Sequence, residues 1–330
     1  MPLPSPPLMG QTSVLKPSIP RSKMVHGNLA PKVSIGLPVF NGARFLPAAI
    51  ESALSQTFQD LELIIADNAS TDETEDICNR YAKLDRRVKV VRHPRNIGAA
   101  KNYNYVFHAA SGEFFNWLAS DDLLRPGFLR ACLDGFASHK RSPILVYPNF
   151  EFIDERDETV EPPDFPSPSS ISSSPFERFK EALECRGPMI ALFGVFRRDV
   201  LRTTRLIGSF ASSDLVLLSE CALLGPIVRL DGPPMFCRRF HPERSRVANA
   251  TAEALAHWFD PDSSPERNEE NRLQREYFVS VRDLDGLSRH TRLAAFALLA
   301  RRRASWMTSL ELRRLRRRTA RLLPMGRSAH

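Results

Sequence analysis

The chain lacks the long apolar segments that mark membrane-spanning proteins. Its longest apolar run, Leu293–Ala300, falls far short of the roughly 20 residues that a helix needs to cross a bilayer. Met1–Ala30 contains proline and serine but no continuous apolar stretch typical of a secretory signal. We therefore expect a cytoplasmic protein, either soluble or peripheral on the inner face of the plasma membrane.

Paired cysteines and glycine-rich nucleotide motifs are also missing. The five cysteines include no CxxC pair, which argues against a zinc site or a disulfide framework. We expect free thiols that serve as small buried side chains. The chain has no GxGxxG, GxxxxGK[ST] or HExxH segment, and the first of these absences argues against a dinucleotide oxidoreductase. The cysteines are Cys78, Cys132, Cys185, Cys221 and Cys237.

Positive charge is scarce outside the C-terminal region. The net charge of the 330 residues is +8, but Gly286–His330 has 12 arginines and one acidic residue, a balance of +11. The remainder therefore carries 8 − 11 = −3. A basic surface for nucleic acid is not expected on the main body, so nucleic acid is not an expected partner.

Apolar runs and helical patterns alternate from Val33 to Tyr147. This alternation predicts βαβ units, hence an α/β fold with one Rossmann-like, mostly parallel sheet flanked by helices. Beyond Asn149 the pattern weakens. The predicted strands are Val33–Pro38, Leu61–Ala66, Val88–Val91, Glu113–Leu118, Ile144–Tyr147, Ile190–Phe196 and Pro226–Leu230. The predicted helices are Ala43–Ser55, Thr71–Leu84, Gly98–Ala110, Pro126–His139, Phe176–Cys185, Ser212–Leu223 and a helical region from Leu287 onward.

Composition divides the chain into three parts. Residues 1–31 are rich in proline and serine, which predicts a disordered leader. Residues 32–250 are predicted to form the catalytic domain, interrupted by a Pro/Ser loop at Glu161–Pro175. Residues 251–330 are predicted to form a polar linker and a helical, arginine-rich tail.

Polar and acidic side chains follow three of the predicted strands. They lie in Pro38–Gly42, Asp67–Asp72 and Ser120–Asp122. Ligands of a parallel α/β sheet bind beyond the carboxyl ends of its strands, so these segments are predicted to meet at a binding site. The adjacent carboxylates of Asp121 and Asp122 suit a divalent ion shared with substrate phosphates. The alternative is a helix N-cap with both carboxylates solvated, and capping is likewise the alternative for Asp72.

Two long segments together resemble a known family. They are VSIGLPVFNGARFLPAAIESALSQTFQDLELIIADNASTDET and RNIGAAKNYNYVFHAASGEFFNWLASDD. In order and spacing they resemble the start of family 2 glycosyltransferases, strongly from about Lys32 to Pro126 and more weakly to about Arg246. The resemblance implies a GT-A-type, nucleotide-diphospho-sugar fold and an inverting transfer that depends on Mg²⁺ or Mn²⁺.

The resemblance also implies roles for individual residues. Asp122 matches the last aspartate of the family's Asp-x-Asp element and is implied as a direct metal ligand. Asp121 would help to position the ribose or the metal, and Asp67 would bind the nucleotide's base. The residues implied in donor binding are Pro38, Asn41, Asp67, Asn68, Lys101, Asn102 and Asp121.

The family's catalytic base is an acidic residue before a helix, often within a Glu-Asp pair. The matching segment here is Ser212–Leu215, so the resemblance implies Asp214 as the base. The first acidic residue of the pair is replaced by Ser213, which departs from the family pattern. The alternative is an N-cap to the helix that follows, and the two roles can coexist.

A later segment, Arg238–His241, resembles the family's Arg-x-His element. The resemblance implies Arg239 in donor binding and His241 at the metal, once a loop closes. The alternative is a basic loop on the surface.

The arginine-rich tail separates leucines from arginines on a helical wheel over Leu310–Leu323. An amphipathic helix of this kind can lie on anionic lipid, so an anionic membrane surface is a candidate partner. In the alternative interpretation, the leucines pack on the catalytic domain and the arginines are merely solvated.

The sequence therefore predicts a glycosyltransferase with a nucleotide-sugar donor and a glycan or lipid-linked acceptor, acting in cell-surface polysaccharide synthesis. Two other functions stay open at this point. One is a non-catalytic nucleotide-sugar-binding protein, and the other is a nucleotidyltransferase, for which Pro38–Arg44 supplies no convincing glycine-rich loop. The residues do not distinguish a monomer from an oligomer.

Overall fold

A seven-stranded sheet forms the centre of the protein in its computed structural model. The structure describes residues 30–161, 169–184, 190–240, 251–262 and 269–322, apart from the side chains of 252, 269, 270 and 309–322. Across the sheet, the strand order is β10 (Ile227–Arg229), β6 (Leu145–Tyr147), β9 (Val195–Arg197), β4 (Phe114–Trp117), β1 (Val33–Val39), β2 (Leu61–Asp67) and β3 (Val88–Arg92).

The neighbouring strands β1 and β2 are mostly apolar because the sheet is covered on both faces. Every residue of both strands is buried. They pair in parallel with Val39 opposite Asp67, so both strands end at the same edge. Only β9 runs antiparallel to its neighbours in this sheet. The mostly parallel α/β fold expected from the sequence is confirmed.

The predicted helices are present, with ends shifted by up to three residues, and the helices at 198–201, 252–259 and 269–283 were not predicted. The first and second helices each begin three residues later than predicted. The second begins at Thr74 because Asp72 turns back and accepts hydrogen bonds from the Thr74 N–H and hydroxyl. The helices are α1 (Leu46–Leu54), α2 (Thr74–Leu84), α3 (Ala99–Ala109), α4 (Phe128–Ser138), α5 (Pro175–Glu184), α6 (Arg198–Leu201), α7 (Ser213–Leu224), α8 (Ala252–Phe259), α9 (Glu269–Asp283) and α10 (Arg289–Leu322).

A second, four-stranded sheet lies beside the first and was not predicted from the sequence. Its order is β5 (Leu123–Leu124), β11 (Phe236–Arg239), β7 (Phe150–Ile153) and β8 (Thr159–Val160). These strands have only two to four residues each. The pairing of β11 with β5 joins segments more than 110 residues apart in the chain, so no local sequence pattern indicates it.

The prediction of one strand over Ile190–Phe196 was wrong. Ile190–Phe193 forms a 3-10 helix, and the strand begins only at Val195. An apolar run of this length fits a buried helical turn as well as a strand. Gly194 lies between the two, where an added Cβ would come within 2.7 Å of the Tyr147 Cβ, so this backbone packs directly on β6.

A second apolar core joins the C-terminal helices to the rest of the protein. It brings α5 and α7 together with α9 and α10, so helices assigned to a linker and tail share a core with the catalytic part. The boundary at residue 250 stays a prediction. Among the described residues, no helix combines the length and apolar character needed to cross a membrane. The core residues are Phe179, Leu183, Phe210, Val216, Leu223, Tyr277, Val281, Leu284, Ala295 and Leu299.

Several sequence-based expectations concern residues outside the described part of the chain. These are nearly all of the leader, residues 162–168 of the Pro/Ser loop, Cys185, and His241 with its predicted metal role. The other four cysteines, which are described, are buried free thiols.

Buried polar groups hold α7 in place. Arg178 donates hydrogen bonds to the carbonyl oxygens of Ala222 (2.7 Å) and Leu223 (3.3 Å), which are among the last carbonyls of the helix. Within the helix, the fully buried Glu220 accepts hydrogen bonds from the Ser280 hydroxyl and from the Arg205 N–H (2.8 Å). Burial raises the pKa of Glu220 despite these hydrogen bonds.

The pKa shift of Glu220 predicts a pH-dependent stability. The folded protein holds the proton of Glu220 more tightly than the unfolded chain does. This contribution to stability is therefore present below the ordinary pKa of 4.5 and is lost as pH rises through the raised value. Glu220→Gln removes the titration, so the melting temperature of the variant minus that of the wild type should increase from pH 4.5 to pH 7. Differential scanning calorimetry at several pH values measures this difference, and a constant difference would contradict the assignment.

Candidate active site

The second sheet brings two arginines against the predicted metal ligand. Strand β5 follows directly after Asp122, and its antiparallel pairing with β11 places Cys237 opposite Leu123. The Arg238 guanidinium consequently reaches one oxygen of the Asp122 carboxylate, with Nη1 2.5 Å from Oδ2. The backbone N–H of Arg239 donates to the other oxygen at 2.9 Å. Both oxygens of Asp122 thus accept hydrogen bonds from β11.

Asp122 is fully buried, and its charge is poorly solvated. Burial is the largest effect and raises the pKa of Asp122 to about 6, helped by the nearby Asp121 and opposed by Arg238. Burial also acts on Arg238, but the charges of Asp122 and Asp121 outweigh it and raise the arginine's pKa. The carboxylate therefore depends on a cation next to it.

The predicted base is affected electrostatically by the same cation. Asp214 is the second residue of α7, and the helix begins directly after Ser212, whose φ of 63° is unusual for a residue other than glycine. The Asp214 carboxylate accepts a hydrogen bond from the N–H of its neighbour Leu215 at 3.0 Å. Burial raises the pKa of Asp214, while the charge of Arg238 lowers it. One guanidinium thus acts on both Asp122 and Asp214.

At the neighbouring strand ends, Asp67 lies in a polar cluster. It is almost completely buried, forms an ion pair with Arg92 and accepts the Ser70 N–H at 2.9 Å. Arg92 is the residue opposite Asp67 on β3. A carboxylate has about four lone-pair positions, so Asp67 retains capacity for a further donor.

The loops after β1 and β2 are linked to each other by hydrogen bonds. The Asn41 side-chain oxygen accepts the Thr71 N–H at 2.8 Å, and the Asn41 N–H donates to the Ser70 hydroxyl at 2.9 Å. Asn41 has a φ of 50°, a conformation that asparagine tolerates better than most residues. Pro38 lies opposite Ala66 within β1 and is buried. The structure therefore brings Pro38, Asn41 and Asp67 to one edge, with Asn41 already bonded to the adjacent loop.

Asn68 organises the loop that leads into α3. Its side chain donates to the Asn96 side-chain oxygen and accepts the Ile97 N–H, both at 2.8 Å. Asn102 is also buried, where it donates to the Ala66 carbonyl at 2.9 Å and contacts His93 at 3.1 Å. The amide groups of both predicted donor-binding residues are thus engaged within the protein, and their roles in donor binding stay predictions.

Lys101 is exposed at this edge and pairs with the segment that follows α8. Its ammonium group lies 2.9 Å from Asp260 Oδ1, and Arg95 forms two hydrogen bonds with Asp262 at 3.1 and 3.0 Å. Gly98, with φ 86°, permits this docking, because a Cβ there would lie 2.4 Å from the Phe259 carbonyl oxygen. Residues near 260 therefore border the predicted donor site.

Arg238 and Arg239 serve different roles, because consecutive residues of a strand point to opposite faces. The Arg239 side chain is buried, and all three guanidinium nitrogens donate to the protein, at the carbonyl oxygens of Asp121 and Asp154 and the carboxylate of Asp157. Its predicted role in donor binding stays a prediction. The sequence pattern did not single out Arg92 or Arg238. The parallel alignment of β2 with β3 could have indicated Arg92, whereas no local pattern pairs β11 with β5 and so indicates Arg238.

The carboxylate pair suits a divalent ion by its chemistry. Hard cations prefer carboxylate oxygens, and Mg²⁺ is commonly held by one or two carboxylates together with substrate phosphates. Within the described residues no group of three or more His, Cys, Asp or Glu side chains is arranged to hold a metal. Asp121 and Asp122 therefore fit an ion that phosphate oxygens complete, with Arg238 at the cation position in this structure.

Comparison with known sequences relates the chain to glycosyltransferases. The profile of the family described as Glycosyl transferase family 2 matches residues 34–202, just over half of the 330 residues. An uncharacterised glycosyltransferase of Rickettsia typhi is 32% identical over 198 residues, which cover 60% of this chain and 56% of that protein. The hyaluronan synthase of Pasteurella multocida is 36% identical over 115 residues, 35% of this chain and 12% of that enzyme. The chain thus spans about half or less of these relatives' length.

Solved structures share the fold. TarS of S. aureus, in a crystal structure of residues 1–349 with UDP, superposes with a TM-score of 0.56 at 17% identity, covering 79% of this chain and 68% of that chain. A structure of the same protein with UDP-GlcNAc gives the same TM-score and identity. At this level of identity the likeness concerns the fold alone.

The contacts of Asn68 and Lys101 predict unequal effects on stability. Asn68→Ala leaves the Ile97 N–H without its acceptor in a partly buried loop, which should lower the free energy of unfolding by about 1–3 kcal/mol. Lys101→Ala removes a half-exposed ion pair and should cost less than about 1 kcal/mol. Urea denaturation compares the two variants, and an equal loss in both would contradict the role of Asn68 as the organiser of the loop.

Proposed function

The protein belongs to glycosyl transferase family 2, and we propose that it transfers a sugar from a nucleotide-diphosphate sugar to a hydroxyl group of a glycan or lipid-linked acceptor, with inversion at the anomeric carbon. The observation that carries this proposal is the arrangement of Asp122 and Asp214 around the Arg238 guanidinium. This arrangement supports one site in which Asp122 would bind the metal and Asp214 would act as the base.

The similar structures and sequences support the proposed classes of donor and acceptor. TarS, which shares the fold, is described with UDP and with UDP-GlcNAc, which supports a nucleotide-diphosphate sugar as the donor class. The hyaluronan and chondroitin synthases of Pasteurella multocida are each 36% identical over 115 residues. Their similarity supports an acceptor that is a growing glycan, in the synthesis of a cell-surface polysaccharide.

In the proposed reaction Asp214 removes the proton from the acceptor hydroxyl. The acceptor oxygen then forms a bond to the anomeric carbon while the bond from that carbon to the diphosphate oxygen breaks on the opposite face. The raised pKa of Asp214 suits this role, because a base whose pKa lies closer to the working pH holds the proton more readily. Its place at the first turn of α7, which Arg178 and Glu220 hold, fixes its position.

Asp121 and Asp122 would hold Mg²⁺ or Mn²⁺, which supplies positive charge for the departing diphosphate. Asp67 accepts hydrogen bonds from the nucleotide through its remaining lone pairs, with Pro38 and Asn41 beside it. Lys101 lies at the same edge. When its ion pair with Asp260 opens, its ammonium group can bind a phosphate of the donor instead. The positive charges of Arg92 and Lys101 make this edge suitable for an anionic ligand.

Replacing Asp214 tests the proposal most directly. Asp214→Asn cannot accept the proton, so kcat should fall by at least about 100-fold, while the Kd of the donor should change little because the diphosphate site is intact. The donor is first selected from a panel of nucleotide sugars by thermal shift with Mn²⁺. Release of nucleotide diphosphate in the presence of glycan acceptors then gives kcat, and calorimetry gives the donor Kd.

Ser213→Ala, at the neighbouring position of α7, is the matched control and should retain activity. Equal loss of turnover and donor binding in Asp214→Asn would indicate a structural role for this residue. Donor binding by the wild type without any turnover would favour the non-catalytic alternative.

We further propose that the C-terminal helix meets an anionic membrane at the inner face of the cell. The helix α10 packs on the protein through Ala295 and Leu299, and Arg302 donates to the Leu183 carbonyl at 2.9 Å. Beyond Arg302 the described side chains are mostly exposed. The arginines of residues 313–321 extend the same helix, so their charge continues past the packed portion.

Removing the residues after Leu310 should weaken binding to anionic vesicles without lowering transfer to a soluble acceptor. The physical reason is the loss of seven arginines that attract acidic headgroups. Sedimentation with phosphatidylglycerol vesicles measures binding, and phosphatidylcholine vesicles are the control. Unchanged sedimentation would favour packing of the tail against the catalytic part.

A further inference from the structure

The two arginines at the end of β11 differ in how they are held. Arg239 is buried and bonded through all three guanidinium nitrogens. The Arg238 side chain is 32% exposed, and its guanidinium lies over the Phe193 ring at 4.8 Å while it pairs with Asp122. Arg239 is thus part of the scaffold, whereas Arg238 reaches solvent from inside the site.

Arg238 compensates a charge that the fold buries. The Asp122 side chain is fully inaccessible to solvent. A buried carboxylate without a counter-ion costs several kcal/mol, and the adjacent Asp121 adds repulsion. The guanidinium satisfies Asp122 when no substrate is present. Without this contact, the two carboxylates would form a strongly attractive site for any free divalent cation.

A divalent ion and Arg238 compete for Asp122. Arg238 bonds to Oδ2, and the Arg239 N–H, fixed in the β11 backbone, bonds to Oδ1. Of these two partners, only the side chain of Arg238 can move without unpairing the strands. An ion that binds Asp122 must therefore displace this guanidinium or share the carboxylate with it against charge repulsion.

We propose that Arg238 is a resident counter-ion that keeps free divalent metal from Asp122 and yields its place only when the metal arrives with a nucleotide diphosphate. The diphosphate supplies negative charge that both the metal and the released guanidinium can contact, so the exchange becomes favourable with the substrate and unfavourable without it. Arg238 then remains close to Asp121 and Asp214, which also attract it. Arg238 is in this sense a positioning residue that couples metal binding to donor binding. The inference rests on the proposed metal-binding role of Asp122.

The test measures Mn²⁺ binding directly, by electron paramagnetic resonance at about pH 8, where free carboxylates are ionised. Wild-type protein should bind Mn²⁺ weakly alone and tightly with the nucleoside diphosphate that gives the largest thermal shift among UDP, GDP, ADP and CDP. Arg238→Met should bind Mn²⁺ alone at least about tenfold more tightly than the wild type, because the competing charge is gone. Arg238→Lys keeps the charge and should stay close to the wild type.

Two controls locate the effect. Arg125→Met removes an arginine that pairs with Glu151 at the other end of β5, and should leave Mn²⁺ affinity unchanged. Asp122→Asn combined with Arg238→Met should abolish the gain. Loss of fold would lower the affinity rather than raise it, and Arg238→Gln replaces the Met variant if that protein does not fold.

The outcomes separate this inference from the proposed function. Equal Mn²⁺ affinity of wild type and Arg238→Met without nucleotide overturns the counter-ion role. The proposed function stands in that case if Asp122→Asn still abolishes nucleotide-dependent Mn²⁺ binding. If Asp122→Asn binds Mn²⁺ with the nucleotide as tightly as the wild type, Asp122 is not a metal ligand and both are overturned.

Discussion

The contact between Asp122 and the end of β11 joins the two sheets of the protein. Asp122 follows the central strand β4, whereas Arg238 and Arg239 belong to the small second sheet. A charge buried at this junction constrains both sheets, because any shift of β11 would leave the carboxylate without donors. Arg239 also donates hydrogen bonds to the loop that holds Asp121 and to the hairpin at Asp154–Asp157. The end of β11 therefore holds both of these segments as well. The candidate active site therefore also connects the two sheets.

At the opposite edge of the main sheet, a buried carboxylate has a lowered rather than a raised pKa. Glu62, near the start of β2, accepts hydrogen bonds from Ser34 and Ser111 and pairs with Lys89. Burial acts to raise its pKa, but these partners together lower it. At Asp122 and Asp214 burial prevails instead and their pKa values are raised. Buried carboxylates are thus favoured in their charged form at one edge of the sheet and disfavoured in that form at the other edge, and raised pKa values of this kind are frequent at functional sites.

The sequence predicted the parts of the fold that local patterns specify. The strands Leu61–Asp67 and Val88–Arg92 and the helices after them follow from apolar runs and helical spacing, and the edge at which Asp67 and Asp122 lie follows from parallel topology. The second sheet could not be predicted in this way, because its strands are two to four residues long and one of them, FCRR, is half charged. Arg238 was missed for the same reason: only the long-range pairing of β11 with β5 brings it to Asp122.

The docking of residues near 260 on Gly98 has a consequence for synthesis on the ribosome. The central strands and Asp67 emerge early, and most of the main sheet can pair before the last quarter of the chain exists. The border formed by Phe259, Asp260 and Asp262 against Gly98, Lys101 and Arg95 is added only afterwards. The charge of Asp122 is likewise compensated by a residue that is synthesised more than 110 positions later. A nascent chain can therefore assemble most of its main sheet while the candidate active site is still incomplete.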